Sequence, residues 1–491
     1  MLHPNCEEFK KMTPKFDRIV IYREIAGDLF TPVSVLINSF QKNDVFLLES
    51  ANLDKSFSRF SFFGFNPAKV ITYRKGLLEV RSADSFKKYN NVNPIDYMQG
   101  ILNTECANCS GGYGDFCGGY VGFMGYDMVN YMKVLRATIR EEENSLLMAF
   151  FQVDEFYVFD NHCHKLYAAV SVLAEGDPEA VYARAQERTL QMASEIGVAL
   201  SGANNEAAAS EIMQDFSRDE FMAAVMGLKD EITRGECIQT VLSNRYEITG
   251  LSDPVSLYRL MRNINPSPYM FFIKTGNEIL CGTSPETHLR VTNRRALLKP
   301  IAGTYRFDPA RKKEILDGLR TDEKEVAEHL MLLDLARNDL YTGCDHESVR
   351  VTQSFEPEIY SHVVHLVSEV QGDLAAGISP FDLFCNTFPA GTVSGAPKVR
   401  AMELINQYEK SPRGFYAGCA GYFSYSQDID TCIIIRSAFI SGDRAVLRAG
   451  AGIVYDSDPE KEYLEVKSKL GAIFDSLKQI SVLEERNVFA G

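Results

Sequence analysis

The spacing of hydrophobic positions changes character along the chain. Between residues 15 and 195 they come in short dense runs separated by turn residues. Phe46-Leu47-Leu48-Glu49-Ser50 reads as a buried strand ending in two polar groups, and Ser58–Gly64 and the alternating VITYRKG at 70–76 follow it. LLMAFFQVDEFYVFD at 146–160 and KLYAAVSVL at 165–173 add further strands. Seven glycines lie among aromatics between Gly111 and Gly125, a pattern that predicts strands packed against another backbone. Asp177–Ile196 has helical spacing.

The polar, small-residue run SGANNEAAA then predicts a linker, taken as 201–216, between an N-terminal region 15–200 and a C-terminal region 217–480. Beyond it helices and strands mix. Ser217–Arg234 opens on a capping sequence, and Gln239–Leu242 reads as a strand. Asp253-Pro254 starts a helix that Asn265-Pro266-Ser267-Pro268 breaks before the strand Tyr269–Ile273. Ile279–Glu286 predicts a strand ending in a turn that carries a carboxylate. Thr321–Leu340 predicts a helix whose later half is apolar nearly all round, hence buried. The His362–His365 run precedes the next strand or short helix.

Two carboxylate pairs stand out against this pattern. Glu325 and Glu328 continue the inward row of Leu332, or else form the solvated first turn that glutamates favour. The stretch RAGAGIVYDSDPEKEYLEVKSKL at 448–470 combines a Gly450/Gly452 run, a short strand Ile453–Tyr455 and a helix opened by Asp458-Pro459. On that helix Glu462, Glu465 and Lys469 fall within about 60° of one another, along the edge of the apolar stripe rather than opposite it. A cleft lined by acids and a surface with ordinary Glu/Lys pairs both fit that spacing. FPAGTVSGAPKVRAM at 388–402 is a small-residue loop running into a helix, able to offer backbone donors to an anion but without the spacing of a nucleotide-binding loop.

Composition narrows the function classes. The 491 residues, 45% hydrophobic, can bury a substantial core. A net charge of −15 with no basic region argues against a nucleic-acid partner, and an anion must be met locally by Arg, Lys, backbone N–H groups or a metal. No run of apolar residues long enough for a membrane span appears. Eleven scattered cysteines suit free thiols in a reducing cytoplasm, and Cys106/Cys109 and His162-Cys163-His164 lack a second ligand pair at zinc spacing.

Read together, GTSPE at 282–286, PIAGT at 300–304, AEHLML at 327–332, RNDL at 337–340, HLVS at 365–368, PAGTVSGAPKVRAM at 389–402 and AGAGIVYDS at 449–457 form an ordered, specific set. With them residues 217–480 resemble the chorismate-utilising enzymes, and within these the large subunits of anthranilate synthase. The N-terminal region is similar more thinly, through LLES at 47–50 and SRFSFFG at 58–64.

The resemblance implies an α+β fold, with two large antiparallel β-sheets packed as a sandwich-like core and helices around them. It implies that Glu328 and Glu465 hold Mg²⁺, with Glu325 and Glu462 around it partly through water. Arg436, Tyr416 and the N–H groups of Gly450 and Gly452 would meet the enolpyruvyl carboxylate of chorismate, with Thr392 and Lys469 on the ring-carboxylate side. Glu286 is the candidate general acid, and His365 a candidate for proton handling.

Aminodeoxychorismate synthases carry a nucleophilic Lys where this chain has Ala302. Isochorismate and salicylate synthases carry a water-activating Lys where it has Gln239. Ammonia is then the expected nucleophile, delivered by a separate glutamine amidotransferase subunit in a heterotetramer. Ser50, Pro268, Tyr269 and Met270 resemble the family's tryptophan feedback site. The alternatives are aminodeoxychorismate synthase component I and a catalytically inactive tryptophan-binding subunit. The loop after Thr304 departs from the family pattern.

Overall fold

The computed structural model describes residues 2–488, apart from 27–29, 51–58, 112, 114–115, 134–137, 197–210, 252 and 360–362. Two antiparallel sheets, of 14 and 12 strands among the described residues, form its body. The first runs in space from Arg18–Ile25 through Lys165–Leu173, Glu155–Asp160, Phe60–Phe65 and Asp44–Glu49 to Tyr269–Thr275, Glu278–Ser284, Ser437–Ser441, Arg444–Ile453 and Gln239–Thr249. The second runs from Ile301–Arg306 through Val363–Asp373, Arg295–Leu298, Thr287–Thr292, Ile429–Ile433 and Cys419–Ser424 to Gly119–Met124, Met148–Val153, Lys69–Arg74 and Leu77–Ser82.

Both sheets draw strands from both halves of the sequence. Asp44–Glu49 pairs with Tyr269–Thr275 in one, and Gly119–Met124 with Cys419–Ser424 in the other. The predicted linker therefore does not divide one sheet from the other. Its residues 201–210 lie outside the described residues, and Glu211–Gln214 is a strand paired with Gln239–Thr249.

The dense apolar runs follow from burial on two faces. Along Tyr269–Thr275, Phe271 and Ile273 enter the core shared with the second sheet, while Met270 and Phe272 enter the core under the helices Arg218–Thr233, Pro254–Ile264 and Pro459–Val488. Gly118, Gly119, Gly122 and Gly125 pack against another backbone as expected, while Gly112 and Gly114 lie outside the described residues. A Cβ on Gly122 would stand 1.9 Å from the Ala149 carbonyl oxygen, so only glycine fits.

Helix starts match their signals. Ser217 and Glu220 make a reciprocal capping box, and Asp253 and Asp458 accept N–H groups of the first turns they precede. Two elements differ from expectation. The helix expected at 321–340 is Glu323–Tyr341, set off from a separate helix Lys312–Thr321, and its later half is not buried all round, Asp334 and Asn338 being exposed. The short strand expected at Ile453–Tyr455 is instead the end of a longer one, Arg444–Ile453, which stops at Ile453 and leaves Tyr455 63% exposed because the chain turns into the next helix there.

Candidate active site

Two adjacent crossovers between the sheets carry the central charges. Pro285 and Glu286 join Glu278–Ser284 of the first sheet to Thr287–Thr292 of the second. Ile434, Ile435 and Arg436 join Ile429–Ile433 of the second to Ser437–Ser441 of the first. The crossovers are stitched together: the Ile433 N–H donates to the Glu286 carbonyl at 3.1 Å, and the Thr283 N–H to that of Arg436 at 3.1 Å. Arg436 holds φ at 50°, a conformation that costs about 1 kcal/mol or more in a non-glycine residue and gathers at functional sites.

Glu286 is buried, and burial pushes its carboxyl from the usual 4.5 up to about 7. Thr392, Lys469 and Arg436 stand close enough to pull it partly back, Thr392 by hydrogen bonding and the two cations by charge. The carboxyl can thus hold a proton near neutral pH, as a general acid needs. Thr392 lies in the short helical turn Gly391–Val393, and its buried hydroxyl has no hydrogen bond of normal geometry.

The glycine strand forms a second wall. Gln239–Thr249 pairs with Arg444–Ile453 throughout, placing Ser243 opposite Gly450 and Val241 opposite Gly452. On the other edge Ser437–Ser441 covers only Arg444–Leu447, so Gly450 and Gly452 have no strand on that side among the described residues. No described strand uses their outward backbone groups; at Gly450 these meet the Lys469 ammonium and the Tyr416 hydroxyl instead. A Cβ on Gly450 would meet the Tyr416 hydroxyl at 3.1 Å, and one on Gly452 would meet the Gln239 amide nitrogen at 2.5 Å. The Gln239 amide oxygen is buried without a partner. Lys469 ties this wall to the last helix: its Nζ donates to the Gly450 carbonyl at 2.9 Å and pairs with Glu465 at 2.7 Å.

The carboxylate pairs flank this centre from two helices. Leu332, one turn beyond Glu328, lines the same small cavity as Glu286 and Thr392. Lys469, one turn beyond Glu465, acts on Glu286 by charge. Glu462 is buried and Glu465 exposed, so the second pair straddles the rim. Among the described residues no three acidic, His or Cys groups converge as a closed metal cage. Carboxylate oxygens on these two helices are the hard donors that Mg²⁺ takes together with retained waters, so the donor chemistry of the set fits that ion.

The residues singled out for an inhibitor do meet. Ser50, Pro268, Tyr269 and Met270 line one cavity of about 280 Å³ with Glu49, Arg290 and Asp430. The Tyr269 hydroxyl donates to Asp430 at 2.9 Å and meets the Thr287 hydroxyl at 3.0 Å, one residue from Glu286. His365 is buried in the strand Val363–Asp373, within a strand rather than ahead of one, and is not among the residues lining the Glu286 cavity.

Two neighbours of Glu286 are not evident from the sequence. His288 is buried against Phe384 and Phe388, and Asp339 makes a buried ion pair with Lys398 at 2.8 Å. Both His288 and Asp339 line the Glu286 cavity. The legible signal for Asp339 is a lone acid near the end of a buried apolar helix, which needs a cation.

Residues 43–475 match the family of chorismate binding enzymes. The chain is 34% identical to an anthranilate synthase component 1 of Acetivibrio thermocellus over 497 residues, covering 98% of this chain and 99% of that one. The crystal structure of anthranilate synthase component I from Streptococcus pneumoniae superposes with a TM-score of 0.73 at 31% identity, covering 92% of this chain and 99% of that one. The menaquinone-specific isochorismate synthase of Escherichia coli shares the fold, with a TM-score of 0.70 at 19% identity, 96% of this chain and 98% of that one being covered.

Proposed function

The chain belongs to the chorismate binding enzyme family and is an enzyme of the anthranilate synthase component 1 kind, and from that premise we propose that it converts chorismate and ammonia into anthranilate, pyruvate and water, as a step of tryptophan biosynthesis. The observation that carries this reading is Glu286, a carboxyl that burial pushes up to about 7 beside Arg436, Lys469 and Thr392.

Arg436, Tyr416 and the backbone at Gly450 and Gly452 would hold the enolpyruvyl carboxylate. Thr392 and Lys469 would hold the ring carboxylate. The Thr392 hydroxyl, buried without a partner, is a donor that a dianion would complete. Glu286 gives its proton to the C4 hydroxyl as that group leaves while ammonia adds at C2. A proton is then lost from C2 as the enolpyruvyl group departs to become pyruvate, leaving the aromatic amine. His365 would assist this second step from its buried strand position.

Glu328 and Glu465, with Glu325 and Glu462 behind them, would hold Mg²⁺. Bound there, the ion would neutralise the acidic rim and draw electron density from the ring carboxylate. Glu462 is buried on the helix Pro459–Val488, beside the buried Tyr463 and Val466, which supports its place behind Glu465.

Neither lysine of the water-using or covalent relatives is present. Gln239 opens its strand with a buried amide, and Ala302 lies in Ile301–Arg306. Ammonia would come from glutamine through a separate amidotransferase subunit in a heterotetramer. Tryptophan would inhibit from the cavity lined by Ser50, Pro268, Tyr269 and Met270. All eleven cysteines are free thiols, in keeping with a cytoplasmic enzyme.

The test is incubation of the purified chain with chorismate, ammonium and Mg²⁺. Anthranilate fluorescence and pyruvate rising in equal amounts is the expected result. Accumulation of aminodeoxychorismate, which yields an aromatic product only with an added lyase, would favour the alternative reading.

A further inference from the structure

Behind the glycine wall lies a buried ionic cluster that the reaction does not yet use. Glu409, which closes the helix Lys398–Tyr408, and Arg413, in the loop after it, have side chains only 1% exposed, and Arg448 on the glycine strand is 2% exposed. Glu409 accepts from Arg413 Nη2 at 2.8 Å and from Arg448 Nη1 at 2.8 Å, on different oxygens. Burial alone would push the Glu409 carboxyl up, yet the two guanidinium groups, Arg413 foremost, hold it below the usual carboxylate range. The trio carries one net positive charge.

Such a cluster is poor evidence of stabilisation, because desolvation offsets much of the Coulomb attraction and apolar replacements of similar triads are often at least as stable. Its remaining contacts say what else it does. Arg413 donates to the Val393 carbonyl at 2.6 Å and to the Val241 carbonyl at 2.8 Å. Val393 follows Thr392, and Val241 faces Gly452 across the strand pair. Glu409 accepts the backbone N–H and the hydroxyl of Ser243, the residue facing Gly450, at 2.9 and 2.6 Å. The Arg413 guanidinium lies 5.5 Å from the Tyr416 ring centroid. The turn that carries Thr392, the Tyr416 ring and the strand that faces Gly450 and Gly452 thus all meet one buried, hydrogen-bonded cluster.

We propose that Arg413, Glu409 and Arg448 are positioning residues of the reaction. They set the Thr392 turn, Tyr416 and the glycine strand in register for the carboxylates of the substrate, and so act on chorismate and not on ammonia. The proposal rests on the chorismate reading above. Arg413→Lys keeps the charge but loses the fork that reaches two carbonyls. Arg448→Met loses the charge, and Arg448→Lys keeps it.

The experiment compares these three variants with the wild-type chain for melting temperature, for KM of chorismate and of ammonia with Mg²⁺ present, and for chorismate binding by calorimetry. In folded Arg413→Lys the KM for chorismate should rise about 10-fold or more, the cost of one charged hydrogen bond, with the KM for ammonia unchanged. Arg448→Met should weaken chorismate in the same way, and Arg448→Lys should recover some of the loss. Variants that melt earlier but keep the wild-type KM for chorismate would overturn the proposal, because a merely structural role lowers the active fraction without altering the surviving sites. Should Arg413→Lys fail to fold, the Arg448 pair decides by the same criterion. If the wild type makes no anthranilate but binds chorismate, the function reading fails and calorimetry still decides this one. If it does neither, both fall.

Discussion

Replacing Glu286 by Gln should move activity and stability in opposite directions. The buried carboxyl titrates at about 7 against its usual 4.5. That difference corresponds to about 3 kcal/mol, at about 1.4 kcal/mol per tenfold change. The sign follows from proton binding. A raised carboxyl keeps its proton in the folded chain at pH values where the unfolded chain has lost it. Its contribution is whole below pH 4.5, shrinks as pH rises, and is gone once pH passes about 7. The amide carries no such dependence. At pH 8 the variant should therefore match or exceed the wild type in stability, by up to about 3 kcal/mol. Loss of the acid should cut turnover by about 10²–10⁴-fold. Urea unfolding at pH 5 and pH 8, with anthranilate fluorescence at fixed free ammonia, reads both. The wild-type rate should also fall as pH climbs past about 7 at constant free ammonia. A variant that keeps more than about a tenth of the activity, or that is less stable than wild type at pH 8, would refute the acid role.

Four further outcomes follow. Gly452→Ala places a Cβ 2.5 Å from the Gln239 amide nitrogen, the movable end of a side chain, so the protein should fold normally while the KM for chorismate rises several-fold, about 1 kcal/mol of binding. Gly122→Ala meets the Ala149 backbone at 1.9 Å and should lower stability by about 3 kcal/mol or more, visible as a large drop in melting temperature. Ser50→Phe intrudes on the 280 Å³ cavity and should raise the tryptophan concentration needed for inhibition with turnover nearly intact; unchanged inhibition would remove Ser50 from that site. Chelation of divalent ions should abolish turnover and weaken chorismate binding in calorimetry, with Mg²⁺ restoring both.

The features of the fold that can be read in the sequence are those in which one residue has one physical reason. Ser217, Asp253 and Asp458 mark helix starts because their side chains cap orphan N–H groups. The glycines before Gly125 mark close backbone approach because nothing larger fits. The partition into two sheets is not legible from the runs themselves. Phe271 and Phe272 look alike in sequence, yet they enter opposite cores, and only the pairing of Asp44–Glu49 with Tyr269–Thr275 decides which.

The site shows the same division. Glu286 is visible in the sequence as a carboxylate in a turn, but its burial depends on a neighbouring crossover more than a hundred residues away along the chain. Lys398 and Asp339 read as ordinary helix charges until their pairing removes both from solvent. The later half of Glu323–Tyr341 reads as buried all round; Leu332, Leu333, Ala336 and Leu340 do go in, but Asp334 and Asn338 stay exposed on the other side.

The central claim is that carboxylates from two distant helices serve one ion beside Glu286, and Mn²⁺ in place of Mg²⁺ tests it most directly. Electron paramagnetic resonance titration of the wild-type chain with chorismate should give one Mn²⁺ site per chain. Glu328→Gln and Glu465→Gln should each weaken it strongly, and the double variant should lose little more than either single one. Wild-type Mn²⁺ affinity in either single variant would contradict the account.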